Sequence, residues 1–205
     1  MKKEKSNFTN DDIKSDEKII TVNIKNQKYK FYVDNGVFSK KNLDYGTRTL
    51  LESLDLNVIS GDVLDFGCGY GPIGIYVAKN TDSYVDMVDI NKRSLNLACK
   101  NAILNKVEVN VFESDIYSNV SKKYDFIISN PPIRVGKEIL YRILFEAYDY
   151  LKDGGILYIV INKNQGAKSV LKDLSKKYVT EVICKNKGFY VIKAKKRWQF
   201  AHLHI

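Results

Sequence analysis

Two short segments of the 205-residue chain combine residue types that could bind a charged ligand and support a group transfer. Residues 65–71 read DFGCGYG, and residues 130–133 read NPPI. Glycines after a strand let the backbone pass close beneath a ligand at a helix N-terminus. An asparagine followed by proline offers two hydrogen-bond acceptors, a side-chain amide oxygen and a main-chain carbonyl with a fixed direction. The first segment therefore predicts a cofactor loop, and the second predicts a reaction site.

The glycine loop is compatible with two cofactors. Residues 69–74 satisfy G-x-G-x-x-G, and Asp89 follows Gly69 by 20 residues (89 − 69), a spacing typical of dinucleotide binding. However, Pro72 has no N–H group for a pyrophosphate, and Asp65 would place a carboxylate beside it. S-adenosylmethionine carries no phosphate, and its ammonium and sulfonium groups favour a nearby carboxylate. The loop therefore predicts S-adenosylmethionine, with an NAD-dependent oxidoreductase as the alternative.

Two further aspartates follow predicted strands. Asp89 is placed to accept hydrogen bonds from both ribose hydroxyls of a nucleoside; its alternative role is a helix cap, which Asn91 could provide instead. Asp115 follows a third strand and could accept from the adenine amino group, although an isolated aspartate here is often a turn residue. With Asp65, these residues are predicted to line one cofactor site.

The Asn-Pro-Pro segment predicts methyl transfer to an exocyclic amine. The lone pair of such an amine is delocalised into its ring, and holding both hydrogens on two acceptors would turn the lone pair toward the methyl group. Because sulfonium is a good leaving group, placement can supply most of the catalysis without a general base. The simpler interpretation is a strand stop followed by a turn. The predicted catalytic residues are Asn130, Pro131, Pro132 and Ile133, the last as an apolar wall.

Short apolar runs alternate with amphipathic stretches from residue 62 onward, which predicts a doubly wound, Rossmann-like α/β domain. The predicted strands are 63–66, 85–88, 107–111, 126–129 and 156–161, and the predicted helices are 72–79, 92–104, 138–151 and 167–177. A hairpin over 179–194 would complete a mostly parallel, seven-stranded sheet. Alternating residues over 20–33 predict an added N-terminal hairpin, and Thr47 is predicted to cap a helix at 48–56.

The net charge of +9 is concentrated at one end of the chain. Residues 163–205 hold eleven Lys and Arg against two acidic residues, so the first 162 residues sum to zero. RNA would favour such a surface because phosphate contacts release counterions, whereas solvated lysines that protect a sheet edge are the alternative. The predicted RNA surface consists of Lys193, Lys195, Lys196 and Arg197, with Trp198 and Phe200 able to stack on bases.

The sequence shows no secretory signal and no apolar run long enough to span a membrane, and its three cysteines form no CxxC pair. We therefore expect a cytoplasmic protein without a disulfide framework, a metal site or a membrane partner. The predicted division is an N-terminal extension over 1–46 with a hairpin and a cofactor-covering loop, a catalytic domain over 47–197 and a tail over 198–205.

With these motifs in view, the chain resembles the methyltransferase small domain family, whose best-known members are ribosomal small-subunit RNA guanine-N2 methyltransferases. The matching segments between residues 31 and 195 are 34–39, 44–47, 63–74, 88–91, 101–102, 129–137 and 163–167. The resemblance implies that the loop at 36–47 closes over the cofactor. The predicted cofactor contacts are Asp65, Gly67, Gly69, Gly71, Asp89, Asp115, Asn130 and Thr47. The predicted substrate contacts are Phe38, Arg134, Lys137 and Lys163, the last three as phosphate ligands.

Two departures from the family qualify the expected substrate. The best-known enzymes carry a second, degenerate domain copy ahead of the catalytic one; we expect none here, and either a monomer or a homodimer that supplies the missing surface. Ile133 stands where adenine-N6 and glutamine-N5 methyltransferases commonly have an aromatic residue. We therefore expect methylation of guanine N2 in ribosomal RNA. Adenine-N6 or protein glutamine-N5 methylation is the alternative, and an NAD-dependent oxidoreductase or a non-catalytic nucleotide- or RNA-binding module is a distant one.

Overall fold

The computed structural model describes residues 14–35, 42–132 and 136–197. The strands are β1 (Lys18–Ile24), β2 (Gln27–Val33), β3 (Asp62–Phe66), β4 (Tyr84–Asp89), β5 (Asn110–Glu113), β6 (Tyr124–Ser129), β7 (Leu151–Asn162), β8 (Tyr178–Asn186) and β9 (Phe189–Lys196). The helices are α1 (Tyr45–Ser53), α2 (Pro72–Asn80), α3 (Lys92–Asn105), α4 (Gly136–Tyr150) and α5 (Ala167–Leu174). Among the helices of these ranges, none has the length and apolar composition that a membrane span requires.

The main sheet has seven strands in the order β5-β4-β3-β6-β7-β9-β8. The strands from β5 to β7 are parallel, and β9 runs antiparallel to β7 and β8. The chain leaves β3 toward β4 on one side and later returns to β6 on the other, so the strand order reverses between β3 and β6. Ligands bind in the crevice that such a reversal opens at the carboxyl ends of the strands. The predicted doubly wound fold with an antiparallel C-terminal hairpin is confirmed.

The central strand β3 is buried on both faces, as its continuous apolar sequence predicts. Val63 packs in the core cluster that contains residues of α1, α2, α3 and the N-terminal hairpin, whereas Leu64 packs with α4 and α5. Successive side chains of a strand point to opposite faces, so the adjacent residues Val63 and Leu64 pack against different helix layers. Full burial of one such side chain contributes roughly 1.5–3 kcal/mol.

Two asparagine side chains attach the N-terminal hairpin to α3. Asn101 Oδ1 accepts a hydrogen bond from the Tyr32 N–H at 2.6 Å, and its Nδ2 donates to the carbonyls of Tyr32 at 3.0 Å and Tyr70 at 2.8 Å. Asn105 repeats the pattern one turn later, accepting from the Lys30 N–H at 3.3 Å and donating to the Lys30 carbonyl at 2.7 Å. The hairpin is thereby joined to α3 and, through Tyr70, to the glycine loop.

A network of charged side chains joins the amino ends of the central strands. Lys152 Nζ lies 2.8 Å from both Asp62 Oδ2 and Asp125 Oδ2, and Lys122 Nζ bridges Asp62 at 3.0 Å and Asp86 at 3.1 Å. Hydrogen bonds from the two ammonium groups hold the pKa of Asp62 below its usual value. Because this network lies at the opposite edge from the carboxyl ends, it stabilises the sheet away from the ligand crevice.

The predicted helix at 48–56 is present but lies three residues earlier, and the predicted Thr47 cap was wrong. The helix α1 begins at Tyr45, and Asp44 is its N-cap, because the Asp44 carboxylate accepts the Thr47 N–H at 2.8 Å. An aspartate three residues before a backbone N–H satisfies one of the free donors of the first turn. Thr47 therefore lies inside the helix, where its hydroxyl is available for other contacts.

The predicted strand at 107–111 was placed about three residues too early. After α3, Lys106 adopts a left-handed conformation with φ of 58°, and the Val107 N–H returns to the Ala102 carbonyl at 3.1 Å. The backbone of this apolar segment is thus used to end the helix before β5 begins at Asn110.

Candidate active site

The glycine loop leads from β3 into α2 at the carboxyl edge of the sheet. Gly67, Gly69 and Gly71 have φ angles of 69°, 57° and 95°, which residues with a side chain rarely adopt. A Cβ atom on Gly67 or Gly69 would meet no atom of the described chain within 4 Å, whereas one on Gly71 would lie 2.7 Å from Met87 Cε. The first two glycines therefore leave open space for a ligand, and the third permits close packing of the loop on β4.

Asp65 is a fully buried carboxylate in the central strand. Its Oδ2 accepts a hydrogen bond from the Gly74 N–H at 2.7 Å, which ties the first turn of α2 to β3. Its Oδ1 is buried and has no hydrogen-bond partner within the described ranges. Burial, with a smaller contribution from the Asp89 carboxylate, raises the pKa of Asp65 to about 7 against the effect of the Gly74 hydrogen bond. A buried, unpaired carboxylate oxygen of this kind favours a cationic group of a ligand.

Asp89 ends β4 beside the glycine loop. Its Oδ2 accepts from the Gly69 N–H and its Oδ1 from the Asn91 N–H, both at 2.9 Å. Burial raises the pKa of Asp89, although these backbone hydrogen bonds oppose the rise. The N-cap of α3 is Asn91, which accepts from the Ser94 N–H at 3.1 Å, so Asp89 is not the helix cap. Because a carboxylate can accept about four hydrogen bonds, Asp89 retains acceptor capacity for a ligand hydroxyl.

Asp115 lies in an exposed turn after β5, the third strand end of the crevice. The turn is fixed by its own side chains: the Asp115 N–H donates to Ser118 Oγ at 3.2 Å, and Ser114 Oγ donates to the Ile116 carbonyl at 2.9 Å. Ile116 has a φ of 52°, which is strained for a β-branched residue. The Ser114 N–H donates to the Asp89 carbonyl at 3.1 Å, so this turn is joined to the end of β4.

Asn130 follows β6 and is held by the first turn of α1. Its Nδ2 donates to Asp44 Oδ2 at 2.8 Å and to Thr47 Oγ1 at 2.9 Å. With both amide hydrogens used, Asn130 Oδ1 remains as the acceptor. Sequence reasoning gave Asp44 no specific role, although an aspartate three residues before Thr47 is a typical N-cap pattern.

The Asn-Pro-Pro segment at residues 130–133, here called the acceptor motif, begins at the end of β6. Ser129 Oγ donates to the Phe66 carbonyl at 2.8 Å, which fixes the end of β6 against the end of β3. Pro131 is buried and Pro132 is exposed, so the chain turns outward at the carboxyl edge. Asn130 and the glycine loop are thus carried by neighbouring strands on the same edge of the sheet.

The predicted substrate contacts are only partly described. Lys137 and Pro132 line a groove of about 430 Å³ that also includes residues 164–166, and Lys163 immediately precedes that segment. The ammonium of Lys137 lies 5.2 Å from the centroid of the Tyr141 ring. The predicted residues Phe38, Ile133 and Arg134 lie outside the described residues.

The predicted C-terminal RNA surface needs correction at Lys196. This side chain is buried, and its Nζ donates to the carbonyls of Tyr148 and Leu151, both at 2.9 Å. Of its neighbours, Lys193 lies 3.9 Å from Glu181, and Arg197 donates to the Ser175 carbonyl at 3.4 Å. Trp198 and Phe200 lie outside the described residues. Lys196 closes the end of α4 and does not contribute to an RNA surface.

The α2 N-terminus is poorly suited to a pyrophosphate, which binds to the free N–H groups of a first helical turn. Pro72 has no such group, and the Gly74 N–H already donates to Asp65. S-adenosylmethionine fits the same residues better, because the buried Asp65 Oδ1 lacks, within the described chain, a hydrogen-bond partner that a cationic group could provide, and the space above Gly67 and Gly69 is open. The geometry therefore does not support the dinucleotide alternative.

The reversed strand order, the glycine loop and the carboxylates at three successive strand ends define a class I S-adenosylmethionine-dependent methyltransferase. The chain belongs to the methyltransferase small domain family, whose model matches residues 28–193. S-adenosylmethionine is therefore its cofactor.

Similar proteins include one of matching length and several that are longer. The Bacillus subtilis (strain 168) protein YbxB is 40% identical over 189 residues, which cover 90% of this chain and 94% of that protein. The ribosomal RNA small subunit methyltransferase C of Haemophilus influenzae (strain 86-028NP) is 42% identical over 132 residues, which cover 62% of this chain and 40% of that enzyme.

The solved structure of the T. thermophilus 16S rRNA N2 G1207 methyltransferase, in complex with AdoMet and guanosine, is similar at a TM-score of 0.79 and 25% identity. The similarity covers 88% of this chain and 51% of that one. This chain therefore spans about half the length of the ribosomal RNA methyltransferases that it matches.

Replacing Asp89 with alanine is expected to weaken S-adenosylhomocysteine binding by about ten- to a hundredfold, or roughly 1.5–3 kcal/mol, through loss of a charge-assisted contact. Isothermal titration calorimetry measures the effect, with Asp82→Ala, an exposed carboxylate away from the carboxyl edge, as the control. NADH is expected to show no comparable binding. Unchanged affinity in Asp89→Ala would remove this residue from the site, and tighter binding of NADH than of S-adenosylhomocysteine would favour the oxidoreductase.

S-adenosylhomocysteine is expected to bind about tenfold more tightly at pH 8 than at pH 6. Below a pKa of about 7 Asp65 is mostly protonated, and a cationic ligand favours the ionised form that prevails at higher pH. Titrations in two buffers of different ionisation enthalpy would report the released proton. Asp65→Asn, which keeps an acceptor for the Gly74 N–H, is expected to bind weakly without this pH dependence; a wild-type affinity that is flat across the range would contradict the assignment.

Proposed function

We propose that this methyltransferase acts on an exocyclic amine of ribosomal RNA, and specifically on guanine N2. The observation that carries the proposal is the orientation of the Asn130 amide. Because Asp44 and Thr47 take both of its hydrogens, Asn130 presents only an acceptor oxygen to a substrate. An amine with two hydrogens needs two such acceptors, and the neighbouring Pro131 carbonyl supplies the second.

These two acceptors would prepare the amine for attack. The lone pair of a guanine amino group is delocalised into the ring, and hydrogen bonds to Asn130 Oδ1 and the Pro131 carbonyl rotate the group so that the lone pair faces the methyl donor. Pro131 and Pro132 restrict the backbone at low entropic cost, and Ile133 provides an apolar wall for the flat base. When bound, S-adenosylmethionine would supply an electrophilic methyl group: the N–C bond forms as the S–C bond breaks, the neutral thioether of S-adenosylhomocysteine leaves, and the methylated amine releases one proton to solvent.

The remaining site residues are assigned by their positions. Asp65 holds the cationic end of the cofactor, Gly67, Gly69 and Gly71 form its floor, Asp89 accepts from the ribose, and Asp115 accepts from the adenine amino group. Thr47, predicted as a cofactor contact, acts on Asn130 through its hydroxyl. Asp44 and Thr47 are thus positioning residues, whereas Asn130 and Pro131 touch the reacting amine.

Three findings support RNA and guanine as the substrate. The Haemophilus influenzae relative is named for small-subunit ribosomal RNA, and the similar T. thermophilus enzyme acts on guanine N2 of 16S rRNA and was solved with guanosine. In this chain, the exposed Lys137 and Lys163 flank the acceptor motif, where phosphates on either side of a bound base would lie. Arg134 and Phe38 are proposed to extend these contacts to phosphate and base.

Asn130→Ala is expected to lower the single-turnover methylation rate about 10²- to 10³-fold and to change S-adenosylhomocysteine affinity by no more than a few-fold. Rapid-quench measurement with saturating cofactor separates the two effects. Asp44→Asn, which retains an acceptor for the amide, should keep most of the rate, whereas Asp44→Ala should lose about tenfold. Joint loss of cofactor affinity and rate in Asn130→Ala would indicate a structural or cofactor role instead.

Nucleoside mass spectrometry of ribosomal RNA from wild-type and deletion strains tests the substrate. The deletion strain is expected to lose N2-methylguanosine at one small-subunit position, and the wild-type gene, but not Asn130→Ala, should restore it. A complete set of ribosomal RNA modifications in the deletion strain would contradict the proposal. If the deletion strain keeps all its ribosomal RNA modifications but loses methylation of a protein glutamine, the acceptor is that glutamine.

A further inference from the structure

The turn between β8 and β9 lies at the same sheet edge as the acceptor motif. This turn consists of Lys187 and Gly188, and the hairpin closes at the pair Asn186 and Phe189. Phe189 pairs with Asn162 at the end of β7, and the Lys163 N–H donates to the Gly188 carbonyl at 2.7 Å. The hairpin turn is therefore fixed next to Lys163, one of the proposed phosphate contacts.

The same turn packs on the helix terminus that orients Asn130. The rings of Phe189 and Tyr45 have centroids 5.8 Å apart, and the Lys187 ammonium lies 5.1 Å from the Tyr45 centroid. A Cβ on Gly46 would lie 2.9 Å from the Phe189 ring, so only glycine permits this approach. Lys187 thus contacts Tyr45, the residue that follows Asp44 in the sequence, and Asp44 in turn binds the Asn130 amide.

The hairpin carries unpaired positive charge. Lys185 and Lys187 are exposed, and neither forms an ion pair with a carboxylate of the described residues, whereas Lys176 pairs with Asp173. Lys193, farther along β9, faces Glu181. Lys195 and Arg197 at the far end of β9 are also exposed and form no ion pair with a described carboxylate. The hairpin is therefore not the only unpaired positive charge of the described C-terminal segment, but it is the part that lies beside the acceptor motif.

Aromatic rings support both ammonium groups without using their hydrogens. The Lys185 Nζ lies 5.1 Å from the centroid of Tyr190, just as Lys187 lies over Tyr45. A cation on an aromatic face is held in place, yet its N–H groups remain free to donate. Partly exposed rings beside lysines are also the combination that binds single-stranded nucleic acid.

The backbone conformation of the turn determines which substitutions it accepts without strain. Lys187 has a φ of 43° and Gly188 a φ of 85°, as in a type I′ turn. The first position of such a turn favours asparagine, aspartate or glycine, and a lysine there is conformationally unfavourable.

We propose that the β8–β9 hairpin turn binds the RNA backbone, with Lys185 and Lys187 contacting phosphates next to the methylated nucleotide. This inference rests on the proposed function, because it assumes an RNA substrate. The bound RNA strand would run along the carboxyl edge of the sheet, from the hairpin turn past Asn130 to the start of α4. The hairpin thereby selects RNA while leaving the cofactor site unchanged.

The test is the double variant Lys185→Gln/Lys187→Asn, in which asparagine also suits the turn. With an unmodified transcript of small-subunit ribosomal RNA, affinity is expected to fall about tenfold, and the log–log salt slope should flatten by about 1.4, or 0.7 per phosphate contact. KM for RNA should rise about tenfold with kcat unchanged at saturating RNA. Thermal stability and S-adenosylhomocysteine affinity should not fall.

The matched control is Lys193→Gln/Lys195→Gln, which removes the same charge from the other end of β9. It should retain RNA affinity within about twofold. Equal losses in both variants, or wild-type affinity and slope in the hairpin variant while methyl transfer to RNA persists, would overturn the hairpin assignment and leave the proposed function standing. If the wild-type protein neither binds nor methylates the transcript, the proposed function itself fails, and the hairpin assignment fails with it.

Discussion

The site is organised around a carboxylate that must remain buried in the central strand. The hydrogen bond from the Gly74 N–H to Asp65 sets how closely α2 approaches β3, and this approach in turn requires glycines where Met87 packs beneath the loop. Ionising Asp65 in the ligand-free fold is unfavourable, since its pKa is raised from about 4 to about 7. The unfolded chain ionises at the lower value, so the fold loses stability between about pH 4 and pH 7, on the order of 4 kcal/mol. A cationic ligand would recover much of that loss, which couples cofactor binding to the stability of the fold.

The positions of the cofactor-binding residues could be predicted mostly from local sequence. A strand, three glycines and a helix adjoin in the chain, and Asp89 follows the next strand, so pattern and chemistry together predicted where each residue would lie. The orientation of Asn130 could not be found in this way, because its partner Asp44 is 86 residues away. An N-cap pattern at Asp44 was visible in the sequence, but nothing local indicated that its second acceptor role would be toward the end of β6.

Charge was harder to place than apolar pattern. Eleven basic residues near the C-terminus predicted a polyanion surface, yet they divide among different environments once β9 forms. Alternation along β9 turns Lys196 toward the carbonyls that end α4, while Lys193 faces Glu181 across the strand pair. A count of charges contains no information about which face of a strand each one occupies, or about which carbonyls at a helix end require a donor. Element bounds failed for a related reason at residues 107–109, where an apolar segment ends a helix before it joins the sheet.

The two asparagines of α3 have a consequence for how the N-terminal hairpin avoids self-association. Residues four apart on a helix rise by about 6 Å, and residues two apart on a strand by about 6.7 Å, so Asn101 and Asn105 match the spacing of Tyr32 and Lys30. The side of α3 therefore serves as a third strand for β2 and covers an edge that would otherwise be open to another chain. A single inserted residue between the asparagines would rotate one amide by about 100° and expose that edge. The four-residue spacing of Asn101 and Asn105 thus both attaches the hairpin and covers an edge that could otherwise pair with another chain.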